Sequence, residues 1–124
     1  LVLGATISLK EGNLEEIKTL TRELREKRTS KQPLEFPSAG STFKRPEGYF
    51  AGKLIMDSGL RGCQIGGARV SDKHCGFVIN AGDATAEDVV SLMKHVTEVV
   101  REKYGVTLEP EVKFLGEFDK KCDW

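Results

Sequence analysis

The stretch TAEDVVSLMKHVTEVVREKYG, residues 85–105, carries the strongest structural pattern in this sequence. Thr85 followed three residues later by Asp88 is typical of a capping box, and Gly105 is typical of a helix end. Between them, apolar side chains recur at helical spacing: Val89, Leu92, Met93, Val96, Val99, Val100 and Tyr104. The pattern predicts a long helix with one buried face, and we interpret its methionine and valine stripe as core.

The segments before this helix predict two strands and a short helix. GCQIGGARVS (62–71) and GFVIN (76–80) are short apolar runs joined by the polar turn region SDKHC, which is typical of neighbouring strands. FAGKLIMDSGL (50–60) predicts a short helix with Ala51, Leu54 and Ile55 as its contact face, ending at Gly59. We expect Gly66 and Gly67 to allow close packing between this strand and the 37–46 loop. After the long helix, the apolar run 112–115 predicts a last strand.

The amino-terminal third adds a strand, a helix and a loop. LVLGATISLK (1–10) alternates apolar and other residues, which predicts a strand. Asn13 with Glu16 is typical of a capping box opening a second long helix. Its predicted buried stripe is Leu14, Ile17, Leu20 and Leu24. PSAGSTFKRP (37–46) has no regular periodicity and predicts a loop. The order predicts an α+β fold, a mixed sheet packed with two long helices and one short helix.

Composition narrows the class of protein. A chain of 124 residues is the length of one domain. Its 19 basic and 19 acidic residues cancel, which gives no reason to expect binding to nucleic acid or to a membrane surface. No apolar run approaches the roughly 20 residues of a membrane span, and no signal peptide pattern is present, so we expect a cytoplasmic protein. Cys63, Cys75 and Cys122 match no common zinc or redox spacing, and we interpret them as reduced thiols.

Two proline-containing stretches bring together groups suited to chemistry. In the 37–46 stretch, Ser41 follows a glycine, which lets the backbone approach a ligand, and Lys44 and Arg45 are donors suited to phosphate or carboxylate. In TLEPEV, Pro110 restrains the backbone beside Glu111. Hydroxyl, cation and carboxylate together suit proton transfer to an anionic substrate. Ordinary turns with a surface salt bridge are the alternative.

The two histidines have different surroundings. His95 falls on the polar side of the long helix, and we predict no special role for it. His74 lies in the turn before GFVIN, where it either faces a ligand or bonds to nearby backbone. A nucleophile pair of His74 with Cys75 is disfavoured, because adjacent residues on a strand point to opposite faces. No G-x-G-x-x-G after a strand and no G-x-x-x-x-G-K-[ST] occurs, so the usual nucleotide-binding loops are missing.

Five segments taken together resemble a known family. PSAGSTFKRPEG, AGKLIMDSGLRG, QIGGARVSDKHCGFVIN, the ATAEDV helix start and YGVTLEPEVKFLG resemble, in order and spacing, the C-terminal part of the UDP-N-acetylenolpyruvoylglucosamine reductase (MurB) family. The resemblance runs from about residue 1 to 116. It implies that residues 1–10 end a preceding FAD-binding domain, that 11–116 form a substrate-binding C-terminal domain and that 117–124 are a tail.

The resemblance also implies an activity. Members of the family are bacterial cytoplasmic flavoenzymes of peptidoglycan precursor synthesis, and so of cell wall biogenesis, cell shape and cell division. NADPH reduces a bound FAD, which then reduces UDP-N-acetylglucosamine enolpyruvate to UDP-N-acetylmuramate. The family's FAD-binding segments precede the region that this chain resembles. The resemblance therefore implies that this chain works with an N-terminal FAD-binding region of the same protein and is inactive alone.

Site residues follow from the resemblance position by position. It implies that Ser41 is the proton donor and that Glu111 assists at the same centre. It also implies that Lys44 and Arg45 contact substrate anions and that His74 faces the flavin or the substrate. Gly40 is expected at the cofactor, and no metal site is expected. Two alternatives stay open: a non-catalytic nucleotide-sugar binding module that uses the same loop, and a small interaction domain in which the loop is only structural.

Overall fold

A computed structural model describes residues 2–116 of the chain. Within them, three helices and four strands follow one another in the order α1 (Leu14–Lys31), β1 (Ser38–Ser41), α2 (Ala51–Asp57), β2 (Gln64–Ile65), β3 (Ala68–Val70), β4 (Phe77–Asn80) and α3 (Ala86–Tyr104). The chain divides into two compact units, one up to Ser30 and one from Lys31 onward. No helix among the described residues is both long and apolar enough to span a bilayer.

The four strands form one sheet in the order β1-β4-β3-β2. The α+β class, with two long helices and one short helix, is confirmed. Each described strand pair is antiparallel, whereas a mixed sheet was expected. The reason is that β2, β3 and β4 follow one another through short turns, and parallel neighbours would need a long crossover connection. The two predicted strands at 62–71 and 76–80 are confirmed as neighbours, with β2 as an added hairpin arm.

Helix α3 has the predicted ends. Thr85 Oγ1 accepts a hydrogen bond from the Asp88 N–H at 3.1 Å, and Asp88 Oδ2 accepts one from the Thr85 N–H at 2.9 Å, which completes the capping box. Gly105 ends the helix at φ 66°, a left-handed conformation that favours glycine. The buried face consists of Val90, Leu92, Met93, Val96 and Val100. Val90 was not predicted. The predicted Val89 and Val99 are half-buried and pack against the core, and Tyr104 is exposed.

The core of the second unit lies where α2 and α3 pack against each other and α3 packs against β2 and β3. Ala51, Leu54 and Ile55 are the buried residues of α2, as predicted. The predicted close packing at Gly67 is also found, but against a different segment. A Cβ atom built on Gly67 would overlap the Gly82 carbonyl oxygen and the Ala84 backbone, so the contact is with the turn before α3 and not with the 37–46 stretch.

The first unit differs from the sequence expectation in two ways. Helix α1 forms, with Asn13 Oδ1 accepting from the Glu15 and Glu16 N–H groups at 2.9 and 3.2 Å. Its apolar stripe is exposed and not buried: Leu14 62%, Ile17 52%, Leu20 55% and Leu24 55%. Residues 2–10 form no strand, and Leu1 lies outside the described residues. Alternation gives a strand one apolar face, but a strand also needs a hydrogen-bonded neighbour.

Two further corrections concern segments beside the site. Residues 38–41, predicted as loop, form strand β1, because pairing with β4 overrides the weak strand preference of serine and glycine. Residues 112–115, predicted as a strand, form none. There Val112 and Phe114 pack against the core, but the segment joins no strand ladder. The predicted tail 117–124 lies outside the described residues.

Candidate active site

The serine and the glutamate singled out in the sequence come together because residues 42–44 pair with residues 109–111. Phe43 and Pro110 form an antiparallel bridge. On one side of it the Lys44 N–H donates to the Glu109 carbonyl at 2.8 Å, and on the other the Glu111 N–H donates to the Thr42 carbonyl at 2.9 Å. These two bonds hold Glu111 beside the end of β1, where Ser41 lies.

Strand β1 reaches this position through an irregular step. Ser38 pairs with Ile79 and Ser41 with Phe77, so three steps along β1 match two along β4. Gly40 lies within this step at φ 87°, in the left-handed region that favours glycine. The extra residue changes which face of the sheet the following side chains point to.

From Ser41 onward, side chains alternate between two sides of the extended segment, as expected for strand geometry. Ser41, Phe43 and Arg45 line one cavity of about 470 Å³. Lys44 lies on the other side, where its Nζ is 3.0 Å from Glu109 Oε2. Arg45 therefore shares the cavity of Ser41, although it also lines a second cavity with Lys44, which does not line the first.

The cavity also receives the predicted His74 and Glu111. Its full lining is Ser41, Phe43, Arg45, Phe50, Ala51, Gly52, Lys53, Met56, Arg61, Lys73, His74, Cys75, Gly76 and Glu111. Four side chains in this lining are cationic and one is a carboxylate, although the chain as a whole has a formal net charge of 0. Lys53 and Lys73 each pair with a carboxylate outside the lining, so Arg45 and Arg61 carry most of the positive excess, and such an excess in a concave surface attracts anions.

Each of the four cations is held by a neighbour. The Arg45 guanidinium lies 4.0 Å from the centre of the Phe50 ring, and its Nε donates to the Tyr49 carbonyl at 3.3 Å. The other three have contacts of different kinds: Lys53 with Asp57 at 2.8 Å, Arg61 with the Met56 sulfur at 3.2 Å and Lys73 with Glu35 at 3.6 Å. The hydrogen bond to Asp57 raises the pKa of Lys53.

His74 bonds to nearby backbone, which is one of the two roles that its sequence context left open, and it also lines the cavity. Its Nδ1 accepts from the Gly76 N–H at 3.1 Å, and its ring lies 4.9 Å from that of Phe77, edge to face. Ser71 Oγ accepts from the His74 N–H at 3.3 Å, which fixes the turn. Since Nδ1 is an acceptor, the neutral ring carries its proton on Nε2. His74 is thus a turn histidine bonded to backbone that also lines the cavity.

Sequence reasoning missed part of this site. Lys53, Arg61 and Lys73 were not singled out, and the only signal for Lys53 was its place on the exposed side of the predicted short helix. Gly52 was also missed. A Cβ atom there would lie 3.1 Å from the Gly76 nitrogen and 3.3 Å from His74 Cε1, so glycine at this position lets α2 approach the histidine turn.

The other predicted residues, with the exception of Cys75, lie apart from the cavity. His95 is exposed on α3, as expected. Cys63 is half-buried and Cys75 buried, both as free thiols, and Cys122 lies outside the described residues. Gly40 is not among the residues that line the cavity. No cluster of three or more histidine, cysteine, aspartate or glutamate side chains suited to a metal ion occurs in residues 2–116.

Fold and cavity define an α+β domain that gathers a serine, a glutamate and several cations around one cavity. The model of the family described as "UDP-N-acetylenolpyruvoylglucosamine reductase, C-terminal domain" matches residues 32–115. The chain belongs to this family, which confirms the resemblance.

Individual relatives support the same assignment. The chain is 66% identical over 116 residues to the UDP-N-acetylenolpyruvoylglucosamine reductase of Lachnoclostridium phytofermentans, covering 94% of this chain and 37% of the relative. It is 63% identical to that of Agathobacter rectalis, covering 95% and 38%. The crystal structure of the Thermus caldophilus reductase (MurB) matches with a TM-score of 0.67 and 38% identity, covering 84% of this chain and 37% of that one. The chain thus spans less than two-fifths of the length of these relatives.

Proposed function

We propose that this chain forms the substrate-binding and proton-donating part of a UDP-N-acetylenolpyruvoylglucosamine reductase. In the full-length protein, NADPH and FAD would supply hydride for the reduction of UDP-N-acetylglucosamine enolpyruvate to UDP-N-acetylmuramate, a step of peptidoglycan precursor synthesis in the cytoplasm. The observation that carries the proposal is the convergence of Ser41, Glu111, Arg45 and His74 on one cation-lined cavity.

The cavity suits the substrate better than the cofactor. FAD and a UDP-sugar each carry a diphosphate, and with Lys53 and Lys73 paired to Asp57 and Glu35 the cavity keeps Arg45 and Arg61 for one such group. The described residues therefore do not fit FAD in addition to the substrate. In the proposal, an N-terminal region of the same protein holds the FAD, so the chain alone is inactive. The expected contact of Gly40 with the cofactor stays a prediction.

The cationic side chains would bind and orient the substrate. Arg45 is the best placed to do so, since it shares the cavity face of Ser41 and its guanidinium can donate two parallel hydrogen bonds to a phosphate or carboxylate. His74 Nε2–H is a further donor at the cavity wall. Lys44 is left out of the proposed set, because its ammonium pairs with Glu109 on the other side of the strand.

Ser41 would supply the proton. Once hydride has been added to the enolpyruvyl double bond, the α carbon beside the carboxylate carries the electron pair and must gain a proton. The Ser41 Oγ–H bond breaks, a C–H bond forms at that carbon, and the serine is left as an alkoxide. The lining cations lower the free energy of this alkoxide. Glu111, held by its backbone bond to Thr42, would position the reacting group and take part in returning a proton to Ser41.

Single-turnover kinetics of the full-length protein tests the proposal. We expect Ser41→Ala to leave the bleaching of the flavin by NADPH unchanged and to slow its reoxidation by the enolpyruvyl sugar by about 100-fold or more, the usual contribution of a general acid. Ser91→Ala, on α3, is the matched control and should leave both half-reactions unchanged. If the Ser41 variant reoxidises as fast as the parent and differs only in affinity for the sugar, the chain is a binding module.

A further inference from the structure

Thr42 is not part of the proposed chemistry, yet it connects the segments that carry the site. Its side chain is 4% exposed. Its N–H donates to the Gly76 carbonyl and its carbonyl accepts from the Glu111 N–H, each at 2.9 Å. Its Oγ1 accepts from the Val78 N–H, also at 2.9 Å. One residue thus joins β1 to the histidine turn, to β4 and to the segment of Glu111.

The Thr42 hydroxyl lies where the register between β1 and β4 shifts. Between Ser38 and Ser41 the register of β1 against β4 shifts by one residue, opposite Val78. At this position the buried Val78 N–H donates to a side-chain acceptor, Thr42 Oγ1, at 2.9 Å. Removal of this hydroxyl would lose a buried hydrogen bond between the residue after β1 and β4, which weakens the pairing where the register already shifts.

We propose that Thr42 is a positioning residue whose hydroxyl fixes the direction of Ser41 and the place of Glu111 relative to it. The inference rests on the proposed function, because it assigns Thr42 an effect on the proton transfer from Ser41. Ser41 precedes Thr42 directly, and Glu111 is bonded to its carbonyl, so a shift of Thr42 moves both groups. Proton transfer to carbon requires aligned atoms, and a displacement of about 1 Å is enough to slow it strongly.

The experiment compares three variants of the full-length protein. Thr42→Val keeps the shape and removes the hydroxyl, Thr42→Ser keeps the hydroxyl, and Thr97→Val removes a hydroxyl that bonds the Met93 carbonyl within α3. For Thr42→Val we expect flavin reoxidation by the enolpyruvyl sugar to slow by about 10- to 100-fold, with flavin reduction and the Kd of the sugar within about twofold of the parent. Thr42→Ser should recover most of the rate. Amide exchange at Val78 should accelerate in Thr42→Val only.

Several outcomes would overturn the inference. It is wrong if Thr42→Val reoxidises its flavin as fast as the parent, if Thr42→Ser is as slow as Thr42→Val, or if Thr97→Val slows reoxidation equally. If Thr42→Val does not retain flavin, its rate cannot be measured, and Thr42→Ser provides the test. A positioning role requires the flavin reoxidation rate of Thr42→Ser to stay within about threefold of the parent rate. Failure of the proposed function is distinguishable, because then Ser41→Ala itself leaves reoxidation unchanged.

Discussion

The role of each residue from 41 to 45 depends on which side of the extended segment its side chain faces. Ser41, Phe43 and Arg45 face the cavity, while Thr42 and Lys44 face the opposite side and serve structure there. Lys44 and Arg45 are adjacent and equally charged in sequence, so charge alone could not separate them. What separates them is the pairing of residues 42–44 with 109–111, which makes the segment extended.

This alternation predicts opposite results for the two neighbouring cations. Arg45→Gln in the full-length protein should raise the KM for the UDP-sugar about tenfold, because a charge-assisted contact in the cavity is lost. Lys44→Gln, the matched control, should change KM by less than about twofold, since exposed ion pairs contribute little. Steady-state kinetics at saturating NADPH measures both. Equal effects of the two substitutions would contradict the assignment of Arg45 and Lys44 to different faces.

At the scale of elements, the sequence predicted α2, α3 and the two neighbouring strands, because periodicity, caps and glycine stops all agree there. It did not predict β1, whose serines and glycine have weak strand preference, or the absence of a strand at 112–115. Both depend on which segments pair across the fold. Helix α1 shows that periodicity predicts a helix more reliably than burial. The helix was predicted correctly, but its apolar side chains are exposed and not buried: Leu14, Ile17, Leu20 and Leu24.

Burial makes a prediction that separates the two long helices. Leu92 of α3 is 0% exposed and Leu20 of α1 is 55% exposed. Leu92→Ala should lower the free energy of unfolding by about 2–5 kcal/mol, through lost transfer energy and a cavity. Leu20→Ala should change it by no more than about 0.5 kcal/mol, as surface substitutions do. Urea denaturation of the 124-residue chain compares them. A loss at Leu20 as large as that at Leu92 would show that α1 buries its stripe.

The amino end of α3 predicts a dependence of stability on pH. Asp88 accepts from the Thr85 and Gly67 N–H groups, and these bonds lower its pKa below the usual 3.8. A lowered pKa in the folded state stabilises the fold above the unfolded-state pKa, and this contribution is lost as pH falls through the folded-state value. Asp88→Asn should therefore lower the melting temperature by a few degrees near neutral pH. The difference from the parent should shrink below about pH 4. If the difference in melting temperature between the parent and Asp88→Asn stayed constant from neutral pH to about pH 3, the predicted role of the Asp88 carboxylate would be contradicted.

At the scale of the whole molecule, the net charge does not reflect the local charge of the cavity. A net charge of 0 gave no sequence signal for an anionic ligand, while four cations meet one carboxylate in the cavity. They come from residues 45, 53, 61 and 73, which are spread over a loop, a helix and two turns. Their convergence is a property of the fold, so a substrate class could be proposed from the resemblance to a family and not from composition.

The bridge between Phe43 and Pro110 also has a consequence for how the protein is made. A ribosome synthesises the serine long before the glutamate, and nearly the whole domain is translated between them. The nascent chain can therefore form its helices and most of its sheet before residues 109–111 are present to complete the cavity. A polypeptide terminated before residue 111 would lack the Glu111 carboxylate at the site, so only a chain that extends beyond Glu111 can acquire the proposed activity.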